Sequence, residues 1–165
     1  MMIKKLVYLI LLVLAFVLQD TWVPLFSIAG MTANLPSLML VFTAFLSEPL
    51  YGLLAGLGIG LLQDILGGKY FGLHILTKGL TGWLISCSSS KIYKENYLLP
   101  IIMTFFGTIL IDVLYVGFSW LVGLNIPWGK YLFNDFVGSG IYNAVLAPFI
   151  YIPVYLFFLR PPKED

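Results

Sequence analysis

The sequence predicts an all-α polytopic membrane protein with six transmembrane helices, and three observations carry that reading. Hydrophobic residues make up 60% of the chain and charged residues 10%, with a mean hydropathy of +0.97, against roughly 25% charged in soluble domains. No polar run is long enough for a separate soluble unit, so residues 1–165 read as a single integral membrane domain. The third observation is a stripe: Gly52, Gly56 and Gly60 recur every four residues and share one helix face. Glycines so spaced let another helix approach closely, either within the bundle or from a partner, whereas each costs about 1 kcal/mol against alanine in a water-exposed helix.

Lys4 and Lys5 open an unbroken apolar run, and the span 3–18 reads as a membrane helix. It is not a cleaved signal, because Gln19, Asp20 and Trp22 follow where a small-residue cleavage site would stand. Residues 24–30 form a loop or interfacial segment. The second span, 33–48, starts with Asn34 as cap and Pro36 in its first turn. Pro49 separates it from the third span, 50–66, and Gly67, Gly68 and Lys69 make a tight turn into the fourth, 70–87. A polar run from Ser88 to Asn96 precedes the fifth span, 97–123, which is long enough to tilt. Residues 125–135 form a loop whose Trp128 and Tyr131 suit the headgroup level or a protein contact. The sixth span, 138–159, is closed by Arg160 and Lys163.

Basic residues set the orientation. With six spans and an inner N-terminus, Lys4, Lys5, Lys91, Lys94, Arg160 and Lys163 lie inside, and Lys69 and Lys130 outside. This favours both termini in the cytoplasm; a five-span arrangement places Arg160 and Lys163 outside and fits less well. The loop with Lys91, Tyr93 and Lys94 is suited to anionic lipid or to a cytoplasmic filament.

Charge inside a bilayer needs a reason. Gln63, Asp64, Lys78, Asp112 and Asn143 all fall in or near the outer half of their spans and are expected to gather in one intramembrane polar cluster. The plain reading is that Lys78 pairs with one aspartate and holds the bundle together; the alternative is a site that handles a proton or a ligand. An intramembrane aspartyl protease is disfavoured, since Gln63 stands before Asp64 where that class carries glycine.

The remaining reactive residue types point away from catalysis. His74 has no second histidine or cysteine nearby to complete a metal site, and Ser88 to Ser90 have no histidine on their side of the membrane. Cys87 is the lone cysteine and reads as a small buried hydrophobe. The nine basic residues are scattered and leave no nucleic-acid footprint. No catalytic residue, cofactor or metal is assigned.

The segment Gly60-Leu61-Leu62-Gln63-Asp64-Ile65-Leu66, followed by Gly72-Leu73-His74-Ile75-Leu76 and Gly82-Trp83-Leu84, resembles the central signature of the MreD family of rod shape-determining membrane proteins. Leu18-Gln19, Asn34-Leu35, Asp112 and the run Asn143-Ala144-Val145-Leu146-Ala147-Pro148 extend the resemblance over nearly the whole chain. It implies a non-enzymatic partner of the cell-wall elongation machinery. The associated proteins of that family are MreC, the peptidoglycan glycosyltransferase and transpeptidase, and MreB filaments. The family is also similar in fold to the six-helix substrate-binding subunits of energy-coupling-factor transporters, which implies the alternative of a vitamin-type solute-binding subunit.

Overall fold

The computed structural model describes residues 2–28, 31–67, 70–89, 98–124 and 136–159. Over these residues the chain is helical: α1 Met2–Thr21, α2 Leu35–Leu46, α3 Pro49–Leu66, α4 Leu73–Ser89, α5 Leu98–Leu121 and α6 Ser139–Leu159. A 3-10 turn at Val23–Phe26 and an isolated antiparallel bridge between Ile28 and Met31 lie between α1 and α2.

Local chemistry accounts for the boundaries. Asn34 caps α2 by accepting from the Ser37 N–H, and a proline occupies its first turn. The helix stops at Leu46, two residues before the sequence expectation. Glu48 must be extended because it precedes Pro49, and Pro49 then opens α3. α4 begins at Leu73 and not at Tyr70. Gly72 holds φ at +98°, a left-handed conformation that starts the helix only after it.

Two of the described helices, Pro49–Leu66 and Leu98–Leu121, are long and apolar enough to cross a membrane. Ile10–Thr21, Leu35–Leu46 and Phe136–Tyr151 are shorter apolar stretches. Large side chains coat the outside: Leu54 and Ile65 on α3, Phe106 and Trp120 on α5, and Phe149 on α6 are all exposed. A coat of this kind suits lipid and not water.

The core is organised around α2, which packs against each of the other five helices. Its twelve residues rise only about 18 Å, well short of the roughly 30 Å hydrocarbon layer. The deficit is tolerable because α2 is enclosed by protein: Leu38, Leu40, Val41, Ala44 and Phe45 are fully buried. On one side Phe42 and Phe45 meet Tyr151 of α6 edge-on, with ring centroids 5.4 and 6.2 Å apart. On another, Met39 and Leu40 pack with Leu12, Ala15 and Phe16 of α1, Ile59 of α3 and Ile111 of α5.

The most extensive helix contact is α3 on α4, and the glycine stripe makes it. A Cβ at Gly56 would strike the Lys78 carbonyl and stand 2.8 Å from the Gly79 Cα. One at Gly60 would strike the His74 carbonyl and stand 2.7 Å from the Ile75 Cα, and one at Gly52 would lie 2.6 Å from the Gly82 carbonyl oxygen. The contact is reciprocal, since a Cβ at Gly82 would strike the Gly52 carbonyl. Gly58 has open space around it.

Gly56→Val is therefore expected to abolish recovery of monodisperse folded protein in mild detergent, because the obstruction is backbone and cannot rotate away. Gly58→Ala should be tolerated and raise unfolding stability in a detergent titration, by up to about 1 kcal/mol from helix propensity.

Candidate functional site

Asp64 is buried near the C-terminal end of α3, and its carboxylate accepts from three backbone N–H groups at the start of α4. The donors are Gly72 at 2.8 Å, His74 at 3.2 Å and Ile75 at 3.2 Å. Gly72 stands at the N-cap position, its carbonyl accepting from Leu76, and having no side chain it cannot cap the helix itself. Asp64 supplies the cap from the preceding helix. A carboxylate there also meets the positive end of the helix dipole.

A second polar group surrounds the start of α2. Gln19, near the end of α1, donates from Nε2 to the Ala33 carbonyl at 3.0 Å and accepts on Oε1 from the Leu35 N–H at 2.8 Å. From α6, the fully buried Asn143 accepts from the Asn34 N–H at 2.9 Å and donates to the Asn34 carbonyl at 3.4 Å. Asn143 also donates to Thr108 Oγ1 of α5 at 3.1 Å. Residues 33–35 are thus held by amides from both sides. At the opposite end of α2, Ser86 of α4 donates to the Ala44 carbonyl at 2.7 Å.

Lys78 is fully buried on α4, and its Nζ has no hydrogen-bond partner. Neither Asp64 nor Asp112 closes a hydrogen bond on the amine. Asp112 accepts from Ser139 at 3.1 Å, linking α5 to the start of α6. His74, one turn before Lys78, stacks on Tyr115 of α5 with centroids 4.7 Å apart. Gln63 keeps a buried Oε1 without a partner.

The five polar residues expected to form one cluster thus divide by their bonds. Asp64 serves the start of α4, Asn143 serves the start of α2, and Asp112 meets Ser139. Lys78, expected to pair with one aspartate and hold the bundle together, has no hydrogen bond on its amine. Gly52, Gly56 and Gly60 face α4 inside the bundle. Trp128 and Tyr131, like Lys91, Tyr93 and Lys94, lie outside the described residues. Among the described residues no group of three histidine, cysteine, aspartate or glutamate side chains is placed to hold a metal ion.

In the sequence Gln19 reads as a polar stop, and nothing there assigns Ser86 or Thr108 a role. The available signal was an amide ending an apolar run, and hydroxyls spaced along helices whose neighbours end inside the bundle.

Apolar exterior, all-helical architecture and polar groups turned inward onto helix ends define the class: a helical membrane protein. Within that class, the model of the rod shape-determining protein MreD matches residues 1–160, and the chain belongs to the MreD family. No curated protein and no solved structure matches it.

Asp64→Ala should destabilise the protein by about 3 kcal/mol, as a buried charged acceptor leaves several amide donors unsatisfied, while Asp64→Asn should cost about half as much. Unfolding by detergent titration checks both. Gln19→Leu and Asn143→Leu should each cost about 1–2 kcal/mol. Because both side chains grip residues 33–35, a double-mutant cycle should show coupling of at least about 0.5 kcal/mol.

Proposed function

We propose that this member of the MreD family is a non-enzymatic scaffold of the bacterial cell-wall elongation complex. On this reading the chain is a single membrane domain of six spans in the cytoplasmic membrane, with both termini in the cytoplasm. It binds MreC and links it to the peptidoglycan glycosyltransferase and transpeptidase and to MreB filaments. Family membership over residues 1–160 supports the rod-shape role. The observation that carries the scaffold reading is that Asp64 and Asn143, the polar groups best suited to line a solute pocket, are engaged with backbone of the bundle itself.

The competing reading is a solute-binding subunit like those of energy-coupling-factor transporters. A cleft of about 320 Å3 between the end of α1, the 3-10 turn and α6 favours it by size. Its walls are Leu18, Trp22, Val23, Phe26, Ala33, Leu35, Tyr142 and Leu146, and the Tyr142 hydroxyl already donates to the Phe26 carbonyl at 2.7 Å. A vitamin-like solute needs several convergent polar groups to fix it, and this lining offers few.

Affinity purification from native membranes in mild detergent, with mass spectrometry of proteins and small molecules, tests the reading. The expected outcome is recovery of a single-span MreC-type protein together with wall synthases and no bound metabolite. A stoichiometric vitamin-like ligand accompanied by an ATPase module would overturn it.

A further inference from the structure

The cleft of about 320 Å3 between the end of α1, the 3-10 turn and α6 is a feature that neither helix capping nor the scaffold role uses. Among the side chains that line it, only Trp22 and Tyr142 carry a polar atom. The Tyr142 hydroxyl donates to the Phe26 carbonyl at 2.7 Å, and Gln19 engages both the Ala33 carbonyl and the Leu35 N–H. The Trp22 carbonyl accepts from Leu25. A resident water needs about two to four polar partners, and these polar groups are already engaged within the protein. The occupant that suits such walls is apolar.

Both walls run into the apolar exterior. On α1, Leu14, Leu18 and Trp22 follow at four-residue steps and share one helix face, and Leu14 and Trp22 are exposed. On α6, the exposed Val145 and Phe149 stand three residues beyond Tyr142 and Leu146, which line the cleft. The cleft is thus an indentation continuous with the lipid-facing coat. An apolar hollow left empty forfeits the dispersion contacts of its walls, and lipid chains already surround both sides of this one. Trp22, a residue type that favours the headgroup level, follows directly on the end of α1 at Thr21 and lines the cleft. We propose that the cleft binds one acyl chain of a bilayer phospholipid, drawn from the leaflet at the C-terminal end of α1, and holds it in longer-lived contact than the lipid around the rest of the coat. The chain fills the apolar walls, and its headgroup stays at the level of Trp22. The inference goes beyond the scaffold reading and does not depend on which partners the protein binds.

The test uses full-length protein in phospholipid nanodiscs doped with a phospholipid that carries a diazirine on its acyl chain, with adducts mapped by mass spectrometry after illumination. Trp120 at the end of α5 is the reference, because it is an indole as exposed as Trp22 and lies outside the cleft. The expected result is labelling of Trp22 and Leu146 in excess of Trp120. In Ala33→Leu, which adds bulk to the cleft wall, labelling of Trp22 should fall to the level of Trp120. Equal labelling of Trp22 and Trp120 in the wild type would overturn the proposal, and that comparison decides the matter even where Ala33→Leu does not fold. An excess that survives in folded Ala33→Leu would also overturn it, since the chain would then lie outside the cleft. The same labelling is repeated in native membranes from cells grown on a diazirine fatty acid. Loss of the excess there would show that a protein segment holds the cleft and would likewise overturn the lipid assignment.

Discussion

A helix too short to cross a bilayer must not leave its ends in hydrocarbon, and that constraint on α2 governs much of the molecule. Its twelve residues end inside the bundle, where an unpaired amide or carbonyl costs several kcal/mol. The first turn is capped by its own Asn34, and the strand of chain leading into it is gripped by Gln19 and Asn143. The last turn gives the Ala44 carbonyl to Ser86. Three helices, α1, α4 and α6, thereby contribute a polar side chain to the ends of α2, and the bundle is cross-linked by these bonds as well as by packing.

The same logic explains α3 and α4. Close contact through Gly52, Gly56 and Gly60 brings the two backbones together, and close contact is what replaces hydrophobic driving force between helices in lipid. The hairpin then needs a cap for α4 at its tightest point, where Gly72 has no side chain to offer. Asp64, one turn beyond Gly60, is in register to provide it. Stripe and carboxylate are thus parts of one device: the glycines set the approach, and the aspartate uses it.

Much of this was legible in the sequence. Six helices, the Asn34 cap, the break before the third helix and the four-residue glycine period all follow from local rules, because cap chemistry and helical spacing act over a few residues; Pro49, read as that break, is in fact the first residue of α3. What was not legible is which polar side chain meets which backbone. Asp64, Lys78 and Asp112 look equivalent as intramembrane charges, and the simplest pairing of opposite signs is the natural expectation. The fold instead gives Asp64 to the α4 N-terminus, since three amide donors converge where a glycine cap leaves them open. Gln19 reads as the polar end of a span until α2 is known to begin beside it. These are long-range consequences of the α3–α4 contact and of the short α2, invisible to any window of sequence.

Once the helix ends have consumed Gln19, Asp64, Ser86 and Asn143, the polar groups left in the interior are hydroxyls for the most part, with Lys78 among them. Lys78 is the costliest of them, a full side chain and a potential charge with no bond to justify it. A capping role is closed to it, because its donors suit carbonyls at a helix C-terminus and it stands five residues from an N-terminus. A purely packing role would be served better by leucine or methionine, which carry no desolvation cost. The lysine therefore stands apart from Gln19, Asp64, Ser86 and Asn143, whose polar atoms each close on the backbone at a helix end, because no acceptor meets its amine.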